Sequence, residues 1–317
     1  MFDKLNATVQ RVRFRTEEPL MLPEYKGSTF RGALGHAFRQ VACALRRQTC
    51  DGCLLRERCA YSVCFETPVP KSSEIMRKYP RAPHPFILEP PLEDRCKYEP
   101  GEELAVGLVL VGTAQDHLPH FIYAFDEMAK GGLGRNRGKT KLLGVETETR
   151  DGEIRTLYDG QNERLSETPV PLTLQDVRAR AEDLRNCPVR LTFETPMRLM
   201  VEGRLSMSPE LSALLPSLLR RLSLLEYFFC KGTFVRDIDC LLAAGSAVKL
   251  LRSEVTWKDW TRYSSRQKTT MEFGGFMGWA EYDSMPEEIL DALAWGERLH
   301  LGKASAFGLG KYRMERM

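Results

Sequence analysis

The sequence of 317 residues predicts an α+β protein made of two tandem ferredoxin-like domains, the first carrying a small cysteine-rich insertion, and three observations predict it. A chain of this length exceeds the size at which one hydrophobic core keeps growing, so two domains of about 150 residues each are expected. Each half runs strand, helix, strand, strand, helix, strand, the order of the ferredoxin-like unit. Between the halves, residues 151–187 turn polar and lose strong periodicity, as a linker with its flanking connections does. The first domain is therefore placed at 1–165, with the insertion at 50–66, and the second at 185–317. The halves share this pattern without residue-level repetition.

In the first half, residues 4–20 form an extended run rich in β-branched and aromatic residues. Residues 27–47 read as a helix, with Phe30, Leu34, Phe38, Val41 and Leu45 on one stripe. After the cysteines and a Pro-rich passage, ILEPPL and ELAVGLVLVGTA read as strands, 117–129 as a helix and KLLGVETET as a closing strand. In the second half VRLTFETPMRL is a strand, and Ser208 followed by Pro209 marks a helix start. Leu211, Leu214, Leu215, Leu218, Leu222 and Leu225 form that helix's apolar face, with Pro216 as a potential kink. Strands around 247–258 and 270–282, a helix opened by Pro286 and a last strand in FGLGKYRM complete the unit.

Hydrophobic residues make up 43% of the chain, enough for two cores, and no apolar stretch reaches the roughly 18 residues of a membrane span. The N-terminus lacks the apolar block of a signal peptide, so a soluble cytoplasmic protein with no membrane partner is expected. A net charge of +3 excludes a protein that binds nucleic acid with its whole surface, so clustered charge must carry any such role. Nine cysteines, an odd count, speak against a disulfide framework and for metal binding or burial.

Four segments carry chemistry. The stretch HLGKASAFGLGKY places Gly302, Gly308 and Gly310 among His300, Lys303, Ser305 and Lys311, directly after a helix; such glycines permit close approach to a phosphate chain. An ordinary glycine-rich turn has the same spacing, whereas a Walker loop is excluded because these glycines lead into a strand. Upstream, Arg262 and Arg266 flank Tyr263 and neighbour Lys268, which suits single-stranded RNA through charge neutralisation and stacking; a hairpin with a polar tip is the alternative. The run KGGLGRNRGKTK clusters Lys130, Arg135, Arg137, Lys139 and Lys141 without an acidic residue, either a solvated loop or a localised nucleic-acid groove. Cys50, Cys53, Cys59 and Cys64 supply four thiols within fifteen positions, sufficient for a tetrahedral structural zinc site. Cys43, Cys96, Cys187, Cys230 and Cys240 lack such spacing and read as buried, unliganded cysteines.

RYSSRQ followed by GGFMGW, then HLGKASAFGLGKY, resembles the C-terminal half of the CRISPR precursor-RNA-processing endoribonucleases of the RAMP superfamily. KGSTFRGALGHAFRQ, the cysteines and GGLGRNRG follow the order of a cysteine-containing branch of that family. The resemblance implies two RRM-like domains, CRISPR repeat RNA as substrate, crRNA as product and CRISPR effector subunits as protein partners. It also implies metal-independent scission by the RNA's own 2′-hydroxyl, leaving a 2′,3′-cyclic phosphate and a 5′-hydroxyl, with no catalytic cofactor. Histidine suits the proton transfer. His36 lies about 200° around its helix from Leu34, away from the core, and GHAFRQ matches the place where the family commonly carries its general acid or base. Arg31 and Arg39 are the expected phosphate-stabilising residues, with Tyr25 or Lys26 as assistants, and His300 joins the RNA-gripping loop. A non-catalytic RAMP subunit that only binds crRNA accounts for the same loop and basic clusters. A generic single-strand RNA-binding module leaves the combined blocks unexplained.

Overall fold

The structure, a computed structural model, describes residues 1–45, 49–150, 152–235, 238–264 and 269–317, and at 261–264 and 269–272 it describes the backbone alone. The chain divides into two compact units, Ala7–Pro171 and, as the second, Leu172–Met317 together with Met1–Asn6.

The first unit opens with β1 (Ala7–Thr16), which buries Val12 and Phe14 and exposes Arg11 and Arg15, the period of a strand with one face on a core. β2 (Leu20–Met21) and α1 (Gly27–Ala42) follow. Beyond the cysteine segment come β3 (Phe86–Glu89), β4 (Lys97–Tyr98) and β5 (Glu103–Val111). A 3₁₀ turn at Gly112–His117 leads into α2 (Leu118–Gly131), and β6 (Thr140–Glu148), β7 (Ile154–Asp159) and β8 (Arg164–Leu165) complete the unit. The sheet runs β3-β5-β1-β6-β7-β8, antiparallel throughout, and β2 pairs separately with β4. The helices α1 and α2 pack together, and their core is aromatic. Phe38 lies 4.7 Å from Phe121 and 5.0 Å from Phe65 between ring centroids, and Phe65 lies 4.7 Å from Phe86. The cysteine segment is thus anchored in this core through Phe65. Expected to reach residue 47, α1 ends at Ala42, because Cys43 turns extended (ψ 107°) while its N–H still reaches the Arg39 carbonyl. Leu45, expected on the buried stripe, is 38% exposed.

The second unit contains α3 (Leu174–Glu182), β9 (Val189–Met197), the hairpin of β10 (Leu199–Val201) and β11 (Arg204–Ser206), α4 (Leu211–Phe229) and α5 (Asp239–Ala247). Then come β12 (Leu250–Lys258), the hairpin of β13 (Thr261–Ser264) and β14 (Thr269–Glu272), β15 (Gly275–Tyr282), α6 (Glu287–Leu299) and β16 (Tyr312–Arg316). Its main sheet has the order β12-β15-β9-β16. In each unit, therefore, the first long strand lies between the third and fourth strands of its β-α-β-β-α-β set, the ferredoxin-like topology.

Two stretches differ from the sequence expectation. The polar segment read as a linker holds β7, β8 and α3, and the units part at Pro171/Leu172. The helix α3 forms despite its polarity because Thr173 and Asp176 close a capping box, with the Thr173 N–H 2.7 Å and hydroxyl 2.8 Å from the Asp176 carboxylate. The second difference is at the start of the chain. Phe2 and Leu5 are buried, and the Lys4 N–H donates to Glu226 Oε1 at 2.8 Å, so these residues complete the second unit.

Candidate nucleic-acid interface

The glycine-rich loop of the second unit joins α6 to β16 and is fixed from beneath by backbone bonds. Leu301 N–H donates to Gly310 O at 2.9 Å, Gly310 N–H to Pro196 O at 3.1 Å and Lys303 N–H to Arg198 O at 2.9 Å. The Thr195 hydroxyl donates to Gly308 O (2.9 Å) and accepts the Lys311 N–H (2.8 Å). Gly310 has φ +73°, and a Cβ there would lie 1.7 Å from the Leu301 carbonyl oxygen, so only glycine permits this crossing of the loop's two ends.

His300 occupies a backbone region normally reserved for glycine (φ 57°, ψ 159°) and is fully buried. Its Nδ1 stands 3.1 Å from the Leu309 carbonyl. Arg221 on α4 donates from Nε to the carbonyls of Leu299 (3.0 Å) and His300 (3.2 Å), the last acceptors of α6. Burial lowers its pKa to about 10. The expectation that His300 grips RNA is thus corrected: a side chain enclosed by protein cannot reach a phosphate, and this one ties the loop shut. Ser305 is buried as well, its carbonyl accepting the Gly308 N–H at 2.8 Å. Lys303 is exposed, while half-buried Lys311 has its ammonium 3.9 Å from Glu194. Arg221 and Thr195 were not foreseen. An arginine beside Leu222 in an otherwise leucine-rich helix was the available signal.

Arg262 and Tyr263 lie on β13, where only the backbone is described, and Arg266 lies outside the described residues. The hairpin itself is paired, with Arg262 opposite Met271 and Tyr263 opposite Thr270.

In the first unit the basic loop occupies the equivalent position, between α2 and β6. Asn136 fixes it, its Oδ1 accepting the Met21 N–H at 3.0 Å and its amide donating to Pro19 O. Gly134 lies so close to Met21 O that a Cβ would stand 2.1 Å away. Arg135, Arg137 and Lys139 are exposed. Arg137 donates to Gly131 O at 3.1 Å, and Lys139 forms a loose 3.9 Å pair with Glu18. Such surface pairs contribute little, so these cations keep most of their capacity for a ligand.

His36 is exposed on α1, its Nε2 3.1 Å from Gln40 Nε2, one turn on. Arg39, half-buried, places its guanidinium 5.8 Å from the Tyr61 ring centroid. Arg31 packs over Phe65 at 4.8 Å and Phe86 at 5.9 Å, with Nε buried, so its charge lies against the aromatic core. Lys26 is fully buried at the start of α1, with Nζ 2.6 Å from Glu93 O and 3.3 Å from Glu24 O, and Tyr25 is buried beside it. Both are withdrawn from any ligand. His117, at the start of α2, is held below the ordinary imidazole range by burial and then by His120.

Of the four cysteines expected to bind zinc, Cys50, Cys53 and Cys59 are half-buried and Cys64 is enclosed. Burial, with a smaller contribution from Cys59, raises the Cys64 thiol far above its ordinary value. Among the described residues no three His, Cys, Asp or Glu side chains form a metal-ligating group, and no helix is long and apolar enough to cross a membrane.

Both units match known families. The family model described as AF_1859_N, N-terminal domain, matches residues 5–170, and that of the CRISPR-associated endoribonuclease Cas6 matches residues 191–312. An uncharacterized protein of Archaeoglobus fulgidus is 24% identical over 302 residues, covering 92% of each chain. Among solved structures, a Cas6 product complex superposes with a TM-score of 0.59 at 14% identity, covering 98% of this chain and 99% of that one. Thermus thermophilus Cas6 gives 0.55 at 13% identity over the same shares. A partial Cas6-RT-Cas1–Cas2 complex gives 0.58 at 12% identity, covering 99% of this chain and 46% of that one. These structures share the tandem ferredoxin-like fold.

Proposed function

We propose that this chain, which belongs to the AF_1859_N family by residues 5–170 and matches the model of the CRISPR-associated endoribonuclease Cas6 over residues 191–312, cuts CRISPR repeat RNA itself, by a metal-independent reaction in which His36 transfers a proton. The observation that carries this reading is the match of residues 191–312 to the Cas6 endoribonuclease domain, within which the glycine-rich loop lies. His36 supports it from the first unit, as an exposed imidazole on a helix whose opposite stripe is core.

In this reaction the ribose 2′-oxygen just upstream of the cut attacks the adjacent phosphorus and the bond from phosphorus to the 5′-oxygen breaks. A 2′,3′-cyclic phosphate and a 5′-hydroxyl result. The proton leaves the 2′-hydroxyl and one is delivered to the departing 5′-oxygen. An imidazole can serve either step near neutral pH. Arg39 is assigned to the charge developing on the phosphate. Lys303, Lys311, Arg262, Arg266 and the loop cations Arg135, Arg137 and Lys139 are assigned to the RNA backbone, and Tyr263 to a base by stacking. Repeat RNA is the proposed nucleic-acid partner, and CRISPR effector subunits the proposed protein partners.

The test is incubation of the protein with repeat RNA in EDTA, with product ends identified by mass spectrometry. A 2′,3′-cyclic phosphate is expected, and a repeat carrying one 2′-deoxy sugar immediately upstream of the cut should bind and stay whole. Cleavage that requires magnesium and proceeds at the deoxy position would overturn the mechanism. Tight binding without cleavage would make the chain a crRNA-binding subunit.

A further inference from the structure

The cysteine segment between α1 and β3 has no part in the reaction above, and its four half-buried thiols are not the four that spacing alone selects. Cys64 is fully enclosed, and Phe65 beside it packs against Phe38 and Phe86. Its carbonyl lies 3.2 Å from His84 Nδ1. Bringing the Cys64 sulfur to a metal at the surface would dismantle that aromatic cluster. Cys43, Cys50, Cys53 and Cys59, in contrast, are all half-buried.

These four come from chain positions that approach one another. Cys50 and Cys53 are the two ends of a 3₁₀ turn closed by the Cys53 N–H on Cys50 O at 3.2 Å, a short C-x2-C turn suited to presenting two thiols together. Cys59 directs its sulfur to the Ala42 carbonyl, 3.9 Å away, and that peptide leads directly into Cys43. Cys43 is the residue at which α1 stops and the chain turns extended. Between the two pairs the turn continues, with the Arg56 N–H on Cys53 O at 3.1 Å and the Cys59 N–H on Leu55 O at 2.8 Å, so backbone bonds lead from the Cys50–Cys53 turn to Cys59.

We propose that one zinc ion, held by Cys43, Cys50, Cys53 and Cys59 in a C-x6-C-x2-C-x5-C arrangement, ties the end of α1 to the cysteine segment. Four thiolates suit tetrahedral zinc at about 2.3 Å from each sulfur. Although these side chains are not grouped as ligands among the described residues, a partly exposed cysteine can turn about its single side-chain torsion without disturbing the core. A divalent cation would draw in thiolates that otherwise repel one another. Cys64 remains a core residue, and the zinc set expected from the sequence exchanges it for Cys43.

Metal content and thiol mapping test this assignment independently of RNA cleavage. The purified protein should hold about one zinc per chain. Cys43→Ser should lose most of it, whereas Cys64→Ala should keep it. Because either variant could misfold, the decisive measurement uses the unaltered protein, alkylated before and after zinc is stripped by phenanthroline, with labelled sites read by mass spectrometry. Cys43, Cys50, Cys53 and Cys59 should pass together from protected to labelled. The exposed Cys96 and Cys240 should be labelled in both states, and Cys64 in neither. Absence of metal, iron in place of zinc, or zinc-dependent protection of Cys64 with Cys43 freely labelled would each overturn the proposal.

Discussion

Replacing His36 with alanine should slow cleavage about 10²–10⁴-fold while leaving repeat affinity within error, since a lost proton-transfer group affects the chemical step rather than the grip. Single-turnover cleavage alongside filter binding checks this, and an unchanged rate would remove His36 from the mechanism. The outward position of His36 was legible from helical period alone, but its role came from the GHAFRQ block. His300 shows the opposite limit. Sequence proximity groups it with Lys303, yet one faces solvent and the other is sealed in. That difference arises from a left-handed backbone step at the end of α6, which no polarity pattern reports. His300→Ala should accordingly destabilise the second unit by about 1–3 kcal/mol, the loss expected when a buried carbonyl goes unpaired. Urea denaturation measures it. Loss of RNA affinity with unchanged stability would restore the direct RNA contact.

At the scale of elements, the glycine loop acts as a preformed rim on which Lys303 is the exposed cation. If Lys303 neutralises one phosphate, Lys303→Ala should flatten the slope of log affinity against log salt by about 0.7, the single-strand value per contact. Titrations at several salt concentrations decide it, and an unchanged slope would place Lys303 off the RNA path. The loop's residues were readable as a glycine and lysine pattern. Its underpinning by Thr195 and Arg221 was not, because both lie about 80 or more positions upstream and are joined to it only through tertiary bonds. The missed helix α3 was legible in principle, through the Thr173 to Asp176 spacing of its capping box. Its low apolar content hid it from a search based on hydrophobic period.

For the whole molecule, both β-α-β-β-α-β sets were legible, since each long strand and amphipathic helix announces itself locally. The ownership of the first six residues was not. Phe2 and Leu5 look like the approach to β1, and nothing nearby marks them as filling the core of the other unit. A segment whose packing partners are synthesised more than 160 residues later, as those of residues 1–6 are, encounters an order problem on the ribosome. The acceptor for the Lys4 N–H is Glu226, 222 residues later, so at about 5–20 residues per second the leading segment waits roughly 10–45 s for its partner. Stalled nascent chains released before Glu226 should therefore lose their N-terminal tag to a mild protease while residues 7–171 resist, and chains released after residue 317 should keep it. Equal protection of the tag in both would mean that the opening segment finds a temporary shelter before its final one is made.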